Sequence, residues 1–333
     1  MSGLQTLVGG GAVTQDLLNA LNNNFAAVVG FPGNKIYVDP ANGSDNGSGN
    51  IDAPLRTLVA AYNQARDGKN DTIVLIGDGT TGATARVNSS FTWSKNAVHL
   101  VGISSGVNIS NRSRIAPSSG QAAFTPYFLI SGSGCLFQNI QWFIGFSTGT
   151  TNMIGINVTG SRNLFLDCHI AGLADAASAA DAGSRTLKIG SGGSGENMFV
   201  NCVIGVDTVT RSAANASLEF AGATPRNQFI NCVFPIMTSS AAALAVLGTG
   251  NGCVDRFNLF KNCMFMNAVK STSTTMTVMF SFSTAAPGGM IVLDPLCLSI
   301  GATDWGDANF FSNAFVGMAA PSAAAGGLAV VPS

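Results

Sequence analysis

Few residues in this chain of 333 are suited to chemistry: two histidines, His99 and His169, seven cysteines and 17 acids. Cleaving a glycosidic bond needs two carboxyl groups converging on it. No Asp-Asp pair occurs, and no Asp or Glu lies between Asp78 and Leu166. The later acids Asp167, Asp175, Asp181, Glu196, Asp207, Glu219 and Asp255 recur at no fixed interval. His99 and His169 are followed by Leu100 and Ile170, not by glycine. His169 shares the strand parity of Val203 and Val233, so it is expected to face solvent. With three Trp and three Tyr, the chain is also poor in rings for stacking sugars. This pattern predicts no catalytic residue: not an enzyme.

Metal and cofactor chemistry fare no better. Cys168, Cys202, Cys232 and Cys263 recur at intervals of 34, 30 and 31 residues. Ligands on successive coils would stand ~4.8 Å apart in a line, whereas zinc needs thiolates converging at ~2.3 Å. A buried free Cys packs as a small hydrophobe. The loop carrying Asp39, Asp45 and Asp52 lacks the spacing of a calcium-binding hand. Gly190 to Gly195 has no following Lys-Ser/Thr to make a phosphate loop. No metal and no cofactor are expected. An odd Cys count without CxxC suits thiols kept reduced in a cytoplasm. A net charge of −1 gives no basic face for nucleic acid and no attraction to an anionic membrane. The longest wholly apolar run, Ala241 to Leu247, is far shorter than the ~20 residues of a membrane span.

The cysteines belong to a repeat. Asn163-Leu-Phe-Leu-Asp-Cys-His-Ile170, Asn197-Met-Phe-Val-Asn-Cys-Val-Ile204, Asn227-Gln-Phe-Ile-Asn-Cys-Val-Phe234 and Asn258-Leu-Phe-Lys-Asn-Cys-Met-Phe265 align without gaps. Phe137-Gln-Asn-Ile-Gln-Trp142 is an earlier copy, Gly102 and Gly77 stand at the Asn place in weaker ones, and Asp294 marks a last one. Such a period means a solenoid. Around Asn201 the apolar positions are Phe199, Cys202 and Ile204. A straight strand would send Phe199 and Cys202 to opposite faces. Both reach a core only if the chain bends at Asn201 with left-handed backbone, which Asn and Gly adopt readily. Asn139, Asn201, Asn231 and Asn262 are therefore expected to form a bend ladder along the axis.

The fold class that follows is all-β, a single-stranded parallel β-helix of about eight turns over residues 35–300. Residues 1–34 form an N-terminal arm, with an amphipathic helix after Thr14. Its stripe of Leu17, Leu18, Leu21, Phe25 and Val28 is a candidate assembly interface. A short capping helix is expected near 53–66, opened by Pro54 and striped by Leu55, Leu58, Val59, Tyr62 and Ala65. Residues 301–333 form a Gly- and Ala-rich C-terminal tail.

Residues Ile36-Tyr-Val-Asp39, Gly43-Ser-Asp45, Ala53-Pro-Leu-Arg-Thr57 and Asp71-Thr-Ile-Val-Leu75 resemble the N-terminal turn of the pectin-lyase-like superfamily, and the Asn-Cys bends resemble its asparagine ladder. The resemblance implies a right-handed β-helix whose open end is capped by the helix after Pro54. The front segment Ala12 to Phe25 is similar to N-terminal helices of phage virion proteins. A compact β-helix with such an arm resembles capsid-decorating knobs and tail spikes of tailed phages, both typically trimers. The expectation is thus a homotrimeric capsid decoration or cement protein. It would be assembled in the bacterial cytoplasm, carried on the capsid exterior and bound to the major capsid protein. A tail spike that binds or cleaves host polysaccharide is the second expectation, and a free carbohydrate-active lyase or hydrolase the third.

Overall fold

The computed structural model describes residues 33–316 except 105, 106, 119, 121–123, 146–152, 191–193, 251, 285–288 and 313. The predicted arm helix and its stripe lie outside the described residues. Three parallel sheets, of ten, eight and eight strands, wrap one elongated core. One coil shows the plan: Leu136–Gln138 lies in the first sheet, Gln141–Phe143 in the second and Ile154–Val158 in the third, before Leu164–Leu166 returns to the first. Strand pairing runs coil to coil in register, as in Phe137 beside Phe165 and Phe165 beside Phe199.

The parity argument holds at the bend. Asn139, Asn201, Asn231 and Asn262 have φ of 54°, 53°, 54° and 52°, and Asp167 and Asp294 take the same turn at 53° and 48°. Asn231 Nδ2 donates to Asn201 Oδ1 at 3.3 Å, and Asn201 Nδ2 to Asp167 Oδ1 at 3.2 Å. Behind the bend, Phe165, Phe199 and Phe229 stack at 4.4 and 4.7 Å between ring centres, within 6° of parallel. Each such contact adds ~1 kcal/mol beyond simple burial. Cys202 and Cys232 are fully buried, and each thiol donates to the carbonyl of the Phe one coil back at 3.4 Å. Burial pushes both thiols up, away from thiolate.

Four expectations need correction. Gly102 sits inside an extended strand, His99–Ile103, and not in a left-handed bend. Glycine is required there because a Cβ would stand 2.1 Å from the Asn139 carbonyl oxygen. Gly77 likewise takes no left-handed bend; a Cβ would stand 2.6 Å from the Arg112 carbonyl oxygen. The capping helix is shorter than the pattern suggested, Leu58–Gln64, and starts at Thr57, whose Oγ1 accepts the Ala60 N–H at 3.2 Å. Pro54 falls in the turn before it, and Val59 points to solvent while Ala61 packs inward. The helix does close the core, with the Tyr62 ring 4.7 Å from Trp93. Finally, the solenoid runs past residue 300. Ala302–Gly306 and Ala314–Val316 add strands, and Trp305 and Phe310 extend the core.

Candidate functional site

Two outward-facing places gather polar chemistry. The first is a cleft of about 130 Å³ on the second sheet, where Ser110, Gln141, His169 and Asp207 meet Phe143, Val203 and Val233. Register builds it: Arg114, Gln141, His169, Val203 and Val233 stand on successive rungs of one outward row. The loops around Ile109 and Thr208 flank this row. His169 is consequently buried, 4% exposed, against the expectation of a solvent-facing ring.

A serine, a histidine and an aspartate in one cleft invite comparison with a nucleophilic relay, in which the histidine bonds the hydroxyl on one side and the carboxylate on the other. That relay is not assembled. His169 Nδ1 accepts the Ser110 backbone N–H at 3.1 Å, and Gln141 Nε2 also lies 3.3 Å from it. His169 Nε2 lies 3.1 Å from the Gly205 carbonyl oxygen and so carries the proton. Backbone groups thus hold both ring nitrogens. Burial lowers the His169 pKa, so the ring stays neutral. His99 is built the same way: its Nδ1 accepts the Leu136 N–H at 3.0 Å, and its Nε2 lies 3.3 Å from Asn70 Oδ1. Burial brings His99 down to about 4. Each histidine ties its coil to neighbouring backbone rather than to a reacting group.

The second place is an outward row on the third sheet. Lys188 and Glu219 are neighbouring rungs. Glu219 accepts from Arg185 Nε at 2.7 Å and Thr249 Oγ1 at 2.7 Å, with Lys188 Nζ at 3.2 Å. Burial raises its pKa, but the Thr249 bond and the charges of Arg185 and Lys188 outweigh this and hold it below the ordinary range. A carboxylate kept ionised cannot donate a proton to a leaving group. Two rungs on, Ser281 donates to Asp307, which also accepts the Phe282 and Phe310 N–H groups. Glu219 and Asp307 are thus both held by protein donors.

Other acids are engaged in the same way. Glu196 bridges Arg162 and Arg226 on successive coils. Asp71, fully buried, binds Arg66 and the Asn34 N–H. In the loop considered for calcium, Asp45 accepts from the Arg56 and Thr57 N–H groups and Asp39 from those of Ala41 and Asn42. Among the described residues no three His, Cys, Asp or Glu side chains group as a metal site. Trp93, Trp142 and Trp305 are all in the core, so none offers a face to a sugar.

The reading of the repeat passed over its first residue. Asn163, Asn197, Asn227 and Asn258 form a second, inner ladder, each at most 1% exposed. Asn197 Oδ1 accepts the Asn163 N–H at 3.0 Å, Asn227 Oδ1 the Asn197 N–H at 3.1 Å, and Asn258 Oδ1 the Asn227 N–H at 2.7 Å. The signal was in plain view, since the same residue type opens all four aligned segments.

No family model matches the chain, and no curated protein sequence does. Solved structures do. A pectate lyase, Pel9A, aligns over 81% of this chain with a TM-score of 0.54 and 15% identity, and this chain spans 65% of its length. A pectin methylesterase in complex with a hexasaccharide aligns over 83% of this chain and 80% of its own, with a TM-score of 0.50 and 14% identity. ORF18 of Geobacillus virus E2 aligns over 85% of this chain and 63% of its own, with a TM-score of 0.41 and 14% identity. At such identities it is the fold that is shared, and that fold is the right-handed parallel β-helix of the pectin-lyase-like type.

Proposed function

We propose that this protein is a structural component of a tailed-bacteriophage virion, a homotrimer that decorates the capsid exterior and cements the major capsid protein without doing chemistry. One observation carries the reading. The side chains fit for catalysis, His99, His169, Glu196, Glu219 and Asp71, are each held by neighbouring coils. They act as rivets of a rigid prism. A chain with only 16 basic and 17 acidic residues also leaves little charge to keep an isolated solenoid soluble. Quantifying the protein in purified virions tests the location: hundreds of copies per particle support a capsid component, and a handful reject it. Assays on pectins and bacterial capsule polysaccharides test the chemistry, with no turnover expected.

The second reading is a tail spike that binds or cleaves host polysaccharide, and a free carbohydrate-active enzyme is the third. The likeness in fold to a pectate lyase favours both. Depolymerisation abolished by Glu219→Gln would replace the structural reading with one of these.

A further inference from the structure

The outer side of the first sheet carries a long apolar strip. The outward row of the third sheet mixes Thr92, Leu129, Asn157, Lys188, Glu219, Leu247 and Ser281, and that of the second sheet opens with Arg114, Gln141 and His169 before turning apolar at Val203, which the flanking loops cover. On the first sheet one outward row opens with Lys35, Thr72 and His99 and then reads Leu136, Leu164, Met198, Gln228, Leu259 and Ile291, ending at Phe315. The row beside it carries Val101, Leu166, Val200, Ile230 and Leu293, broken by Gln138 and Lys261. Most of these side chains are half-buried, shielding one another, while Phe315 is 60% exposed and Ile103, at the edge of the same face, 52%. Chains that stay monomeric rarely present a continuous apolar strip of this length.

We infer that this face is where copies of the chain pack against each other, with their solenoid axes parallel. The inference rests on the assembly half of the proposed function and gives it a surface. Ten strands at ~4.8 Å make the face about 43 Å tall, and two outward rows make it about 13 Å wide, on the order of 600 Å² per copy. A standard interface takes about 800 Å² per partner, so the whole face supplies most of one, and the apolar run from Leu136 to Phe315, about 29 Å tall, about half. A second copy offers a ladder of equal height and equal rung spacing. Charge opposes the contact only weakly, since Lys35 and Lys261 are the charged residues on these two rows.

The test is sedimentation equilibrium of the full chain from low to high micromolar concentration. The wild type should self-associate. Leu164→Glu with Val200→Glu should sediment as a monomer with an unchanged β-sheet circular dichroism spectrum, and Thr92→Glu, on the third sheet, should behave as wild type. A wild type that stays monomeric overturns the inference. So does an oligomer that survives both glutamates and is lost on deleting residues 1–30, which would assign assembly to the arm. Should the double variant fail to fold, Val200→Cys answers instead, because the native thiols are buried. Dimers formed there by a bismaleimide, and not in Thr92→Cys, support the face; equal cross-linking at both sites overturns it. Association through this face in a protein found absent from virions would keep the inference and sink the proposed function.

Discussion

Asn197→Ala should cost more than any single substitution in the bend ladder. Asn197 is fully buried, and its side chain bonds to two coils. Its Oδ1 accepts the Asn163 N–H at 3.0 Å, and its Nδ2 reaches the Gly160 carbonyl at 3.2 Å and Asn227 Oδ1 at 3.1 Å. Truncation leaves the Asn163 N–H and the Gly160 carbonyl without these partners. At about 1–3 kcal/mol for each buried group stranded, the loss is about 2–6 kcal/mol. Asn201→Ala differs. That residue is half-buried, so water can replace its side-chain bonds, and the main cost is alanine at φ 53°, about 1–2 kcal/mol. Urea unfolding followed by circular dichroism gives both values, with equal m-values confirming that the same transition is compared. Hydrogen exchange at the Asn163 amide reports the broken bond directly, since a solenoid can open one coil at a time. If Asn197→Ala lost under ~1 kcal/mol with the Asn163 amide still protected, or if Asn201→Ala cost more, the inner ladder would not hold the coils.

Two further outcomes follow from the buried groups. His99 is lowered to about 4 in the folded chain against ~6.5 when unfolded, so the unfolded state takes up the proton first as pH falls. Stability should therefore be full above pH ~6.5 and decline by up to ~1.4 kcal/mol per pH unit, about 3 kcal/mol by pH ~4. His169, also lowered, adds to the same slope; His99→Gln should flatten it, and a urea midpoint independent of pH across this window would contradict the account. The thiols of Cys168, Cys202, Cys232 and Cys263 are fully buried, so native protein should resist a bulky maleimide until urea unfolds it, and rapid labelling of the folded chain would refute the packed ladder.

What the sequence disclosed depended on period. The bend at Asn201, the Phe stack and the Cys row were legible because each occupies one place in a gapless repeat, and parity around Asn201 forces a turn whatever the loops do. Contacts between repeats were not legible, because the connections vary in length. Nothing in the local pattern says that the Ser110 N–H reaches His169 across 59 residues, or that Lys188 and Glu219 become adjacent rungs. Burial of His169 was missed for the same reason: parity gives the side of the strand, while the covering comes from distant loops. Gly102 was assigned the wrong cause. Its need is close approach to the Asn139 carbonyl, and a missing side chain does not distinguish close approach from left-handed geometry.

These particulars bear on what a fold shared with a pectate lyase does with its polar side chains here. A stacked solenoid leaves backbone groups at each corner that the sheet ladders do not pair, and they need partners. In this chain Asn, His and Cys side chains supply many of them, as Asn197 does for Asn163, His99 for Leu136 and Cys232 for the Phe199 carbonyl. A side chain locked by two coils is poorly placed to move a proton, because each change of its protonation would break a bond that holds the stack. The same locking makes the prism stiff and its outer rows regular. Under the proposed function, stiffness and a regular apolar strip are what a component that binds copies of itself requires, whereas a catalytic groove would call for carboxylates free to bind substrate on an open face.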